Sequence, residues 1–136
     1  MITLKKYLIF LICLICGCQN KITLTCKYID QTSIYGKKTI TDIIIFKNNI
    51  PIIYKKNIYF TINNEIKEKN NIHKIIKLEG KALKKYIRGK YKIQKQNNTI
   101  NMNFTSYKKF DLSYITTNTN YEDIKQDYES KGFECK

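Results

Sequence analysis

Five cysteines, at positions 13, 16, 18, 26 and 135, carry the most reactive side chains of this 136-residue sequence, and a single histidine, His73, accompanies them. A metal centre needs clustered Cys, His or carboxylate ligands. His73 has no such companion nearby in the sequence, so it reads as a solvated surface residue. Gly80-Lys81 lacks the remaining positions of the G-x-x-x-x-G-K-[ST] phosphate loop. No G-x-S-x-G elbow occurs, and any nucleophile–histidine pair would have to recruit His73 from an amphipathic helix. Carboxylates gather at Glu122, Asp123, Asp127, Glu129 and Glu134. Favourable interaction with a helix dipole accounts for that cluster without paired-carboxylate catalysis. The expectation is a protein that is not an enzyme and takes no cofactor.

Residues 1–18, MITLKKYLIFLICLICGC, place Lys5 and Lys6 before an apolar run at 7–16 and a small Gly17. This is the shape of a signal peptide. The run is too short for a ~30 Å hydrocarbon core, which takes about 20 helical residues. Ile15-Cys16-Gly17-Cys18 resembles the lipobox of bacterial lipoproteins, with Cys16 standing where Ala, Ser or Thr is usual. The resemblance implies removal of residues 1–17, a diacylglycerol thioether on Cys18, a tether at 18–21 and a domain at 22–136. Two or more acyl chains anchor a protein stably where one binds only marginally. Only four steps separate Cys18 from Ile22, at most ~14 Å of extended chain, so the domain would sit directly on the bilayer. The expected location is the extracytoplasmic side of the cell membrane, lipid-anchored. Ordinary signal cleavage, releasing a soluble binder or inhibitor, is the alternative.

On the lipoprotein reading Cys13 and Cys16 leave with the signal peptide and Cys18 is consumed by lipid. Cys26 and Cys135 then remain, and an even pair in an exported domain points to a disulfide between the first strand and the last residues. Closing a loop of about 100 residues is worth ~4.7 kcal/mol in the chain-entropy model. Two free thiols are the alternative.

The net charge is +14, from 25 Lys and Arg against 11 Asp and Glu. Arg88 is the lone arginine, and Ile, Asn and Tyr are abundant beside Lys. All four have AT-rich codons, so codon bias accounts for part of the charge. With 43% apolar and 12% aromatic residues the chain can bury a core, which excludes disorder throughout.

Alternation over 22–29 sets Ile22, Leu24, Cys26 and Tyr28 on one side of a strand. Strands at 39–46 and 51–62 follow, joined by a turn at Asn48-Asn49, with Pro51 at a strand start. From Asn71, taken as N-cap, to Gly89, taken as the stop, the period becomes helical. Ile72, Ile75, Ile76, Ala82, Leu83, Tyr86 and Ile87 share one arc, and Lys74, Lys77, Lys81, Lys84, Lys85 and Arg88 share the opposite one. Glu79 falls inside the apolar arc beside Gly80, where a kink or break is expected. A hairpin at 90–96 and 99–107 sets Ile100, Met102 and Phe104 inward against Tyr91 and Ile93, and 110–115 reads as a further strand. Asn120 with Asp123 forms a capping box for a short helix whose buried stripe is Tyr121, Ile124 and Tyr128, ended by Gly132-Phe133. Strands, helix, strands, helix is an α+β order, with an antiparallel sheet of about five to six strands, one amphipathic helix and a short C-terminal helix.

The lipobox, Thr25-Cys26, IIIFKNN at 43–49, the helix after Asn71, INMNF at 100–104 and YEDIKQDYESKGFECK at 121–136 together resemble small exported lipoproteins of low-GC bacteria, including the YehR-like proteins. The resemblance implies this fold and an envelope location, and transfers no catalytic residue. The lysine arc of the long helix could meet anionic lipid headgroups or wall polymers, each Lys contributing ~1 kcal/mol near an anionic surface. A solvated face under codon bias is its alternative. Nucleic acid is not an expected partner, because base recognition favours arginine and an exported protein lacks access. The strand aromatics Tyr54, Tyr59, Tyr91, Phe104, Tyr107 and Phe110 are expected to pack in the core and across strands.

Overall fold

A computed structural model of the chain describes residues 20–32, 36–62, 69–86, 89–106 and 119–136. Alternating β-branched and aromatic residues suit a pleated surface with one face covered. They build β1 (Lys21–Asp30), β2 (Gly36–Lys47) and β3 (Ile50–Ile62). Then come α1 (Lys69–Tyr86), β4 (Lys90–Gln96), β5 (Thr99–Ser106), α2 (Tyr121–Ser130) and the two-residue β6 (Glu134–Cys135). The strands form one six-stranded sheet in the order β4-β5-β3-β2-β1-β6. Every neighbouring pair is antiparallel. The α+β class and the antiparallel sheet expected from the sequence are therefore present.

Hairpin chemistry fixes the register. Asn48 and Asn49 have φ of 51° and 62°, and Asn97 has 49°. Asn tolerates this left-handed region, so the turns before β3 and β5 fall on the expected residues. β2 starts at Gly36, three residues before the alternating segment at 39–46, because its pairing with both neighbours continues through Lys38.

Side chains alternate across the sheet, and one face holds the core. Leu24, Cys26, Ile44, Phe46, Tyr54, Ile58, Phe60, Ile62, Ile100, Met102 and Phe104 are buried there, joined by Ile75 of α1 and Ile124 and Tyr128 of α2. Among the described residues, α1 and α2 thus lie on the same side of the sheet. Tyr91, expected to point inward, is half exposed and stacks on Phe104 with ring centroids 6.0 Å apart. β4 is the edge strand, so cover on that side is incomplete. Ile22 is likewise exposed, at the end of β1.

α1 begins at Lys69, two residues before the expected cap at Asn71, and runs unbroken through Gly80. Contacts just before the glycine hold the helix to the sheet. Ile75 is buried, and the carboxylate of Glu79 accepts a hydrogen bond from Lys38 Nζ at 2.5 Å. Glu79 therefore belongs on the inward arc as an ion-pair partner. Gly89 lies against β5: a Cβ there would collide with the Thr105 carbonyl, so the approach requires glycine. Asn120 caps α2 by accepting from the Asp123 amide at 2.9 Å. Gly132, at φ 85°, turns the chain so that Phe133 packs on Tyr128.

Candidate functional site

Asp42 on β2 and Lys56 on β3 occupy opposite positions in the ladder, on the core face. Both interrupt apolar strands at inward positions. Asp42 is only 1% exposed and Lys56 8%. One carboxylate oxygen of Asp42 lies 3.1 Å from Lys56 Nζ and accepts from the Tyr54 hydroxyl, also at 3.1 Å. The other accepts from Lys56 at 3.2 Å and from the Tyr128 hydroxyl at 2.9 Å. Lys56 also approaches the Tyr54 hydroxyl, at 3.5 Å.

Burial raises the Asp42 carboxyl above its ordinary value of 3.8, opposed by the Lys56 ammonium and by the hydrogen bonds from Tyr128, Lys56 and Tyr54. Among the described residues no buried side-chain N or O lacks a partner. Four polar groups from β2, β3 and α2 thus meet in one buried network. Its chemistry is positional: Tyr128 is the only contribution from α2, so the bond to Asp42 fixes that helix over the sheet.

The Cys26–Cys135 cystine adjoins this network. Asp42 pairs with Cys26 across β1 and β2, and Cys26 pairs with Cys135 across β1 and β6. The Cys26 and Cys135 sulfurs form a disulfide, S–S 2.03 Å, that bridges 109 positions of the chain. Reciprocal backbone bonds between Thr25 and Lys136, both 2.9 Å, continue the edge pairing. The expected bridge between first strand and last residues is present.

The sequence reading missed the Asp42–Lys56 pair. Its signal was there: a lone acid in TITDIIIF and a lysine in IYKKNIYF both fall on inward parity. The abundance of lysine masked this one, and strand pairing, which alone brings acid and base together, is not local.

Of the basic helix arc, Lys74, Lys77 and Lys81 are exposed on α1. Lys84 and Lys85 lie in α1 with side chains outside the described set, and Arg88 is outside the described residues. So are residues 1–17, expected to be a signal peptide, Cys18 and the strand expected at 110–115. An open groove of about 380 Å³ between α1 and β4 is lined by Ile76, Lys77, Gly80, Lys81, Tyr91 and Ile93. His73 is exposed, and among the described residues no group of three or more His, Cys, Asp or Glu could hold a metal ion. No described helix is long and apolar enough to cross a membrane. No protein family, curated protein or solved structure matches the chain.

Proposed function

We propose that the chain is a bacterial lipoprotein anchored to the extracytoplasmic side of the cell membrane, acting as a non-enzymatic binding or structural module of the envelope. The observation that carries this reading is Ile15-Cys16-Gly17-Cys18 standing three residues before a strand whose Cys26 is tied to Cys135. A disulfide suits an oxidising compartment, and a lipobox supplies export and attachment together. Acylated Cys18 would confine the domain to the surface and raise its effective concentration toward other envelope components. The resemblance to YehR-like lipoproteins supports the same location.

Labelling with radioactive palmitate tests the reading. Label is expected in the wild type and absent from Cys18→Ala, and equal labelling of the two overturns it. The alternative, a secreted soluble binder, is favoured by the same disulfide. Detergent partitioning separates them, since only the acylated protein enters the detergent phase.

A further inference from the structure

Among the described residues, no helix or strand covers the second face of the sheet, opposite α1 and α2. None of its described side chains is buried. Strand registers place six residues in one continuous row across all six strands: Lys92, Asn103, Asn57, Thr41, Lys27 and Glu134. The neighbouring rows run Lys90, Thr105, Lys55, Ile43, Thr25 and Gln94, Asn101, Tyr59, Thr39, Ile29. Lys37, Lys21 and Lys47 belong to the same face by parity. These seven strand lysines stand against Glu134, and none of the seven is in an ion pair among the described residues.

Neutral hydrogen-bonding groups fill the centre. Asn57 Nδ2 donates to Asn101 at 2.5 Å and to Asn103 at 2.8 Å. These amides are already oriented, so a ligand meeting them loses little further side-chain freedom. At ~4.8 Å per strand, Lys92 and Lys27 are about 19 Å apart, with amides and a hydroxyl between them.

The geometry points to a binding face for an extended anionic polyol polymer lying across the strands, its charged groups on the flanking lysines and its hydroxyls on the Asn and Thr groups. This inference builds on the binding-module reading and moves the contact surface from α1 to the sheet. Charge complementarity sets the sign of the partner. The central amide and hydroxyl row favours a polymer over a bilayer surface, which would use the cations and leave those groups idle. Single-stranded nucleic acid would need stacking platforms. Tyr59 is the only aromatic among the described residues of this face.

The test uses the purified full chain in neutral detergent and fluorescent poly(glycerol phosphate), with neutral dextran as control. Salt-sensitive binding is expected, about tenfold weaker for K27Q/K92Q and within about twofold of wild type for K74Q/K77Q/K81Q. The substitutions are at exposed positions, and the intact disulfide and circular dichroism check folding. Wild-type binding by the sheet variant, equal loss in the helix variant, or no binding of the polymer overturns the proposal. So does tighter binding to oligo(dT) or to vesicles of equal parts phosphatidylglycerol and phosphatidylcholine. Palmitate labelling is indifferent to all of these outcomes, so failure here is distinguishable from failure of the lipoprotein reading.

Discussion

Lys56 Nζ sits 3.1 Å from the carboxylate of Asp42, in a core that leaves both side chains almost wholly shielded from water. Removing one member of such a pair costs about 3–5 kcal/mol, because the remaining charge keeps its desolvation penalty and loses its counter-charge. Asp42→Asn should therefore destabilise the fold by about 3 kcal/mol in urea. Adding Lys56→Met removes the ammonium while the amide oxygen still accepts from tyrosine. The double variant should be more stable than Asp42→Asn alone, whereas independent sites would make it less stable.

The pH dependence of that core follows from burial. The Asp42 carboxyl titrates above 3.8 in the folded state, so between 3.8 and its raised value the native protein binds more protons than the unfolded one. Stability from this group is fully present below 3.8 and is lost as pH rises through the folded value. The stability difference between wild type and Asp42→Asn should shrink as pH increases across that window. A difference that grew instead would mean that Lys56 attraction outweighs desolvation.

The Cys26–Cys135 bridge ties β1 to the two-residue edge strand β6. β6 has only two residues, so its pairing to β1 has little strength of its own. Cys26→Ser/Cys135→Ser should lower stability by about 4 kcal/mol, since the unfolded chain regains the freedom of a very long loop. Hydrogen exchange at Thr25 and Lys136, whose amides bond reciprocally, should rise more than at the β2–β3 pairing. Equal exchange at both places would show that the disulfide does not hold the edge.

Local patterns were readable where the cause is local. The Asn48-Asn49 turn, the Asn120 cap, the Ile124 and Tyr128 stripe and the Gly132 turn each need only a few adjacent residues, and each stands where the sequence places it. Glu79 looks like a defect in the apolar arc of α1 because its partner, Lys38, is 41 positions away. Asp42 gives no local signal for the same reason, its partners being at 54, 56 and 128. The open basic face was equally hidden. Lys27 and Lys92 join one row only once β5, β3 and β2 are interleaved between them.

Gly80 separates helix stability from groove shape. A Cβ at this position would meet no atom within 4 Å, so alanine fits. Gly80→Ala should stabilise α1 by about 0.5–1 kcal/mol through lower backbone entropy in the unfolded chain. A decrease in thermal stability would show that the helix needs the freedom of glycine.

Asn49 serves two elements at once. Its positive φ helps make the β2–β3 turn, and its side-chain oxygen accepts from the Tyr121 amide at 2.9 Å, an unpaired donor of the first turn of α2. Glycine adopts the same φ without strain but has no acceptor. Asn49→Gly should therefore keep the hairpin and weaken the start of α2, lowering stability by about 1 kcal/mol. Hydrogen exchange should accelerate at Tyr121 and stay unchanged at Ile45 and Ile53, which face each other near the turn. Faster exchange at Ile45 and Ile53 would mean that asparagine acts through the turn alone, and that the hairpin does not anchor the helix that carries Tyr128.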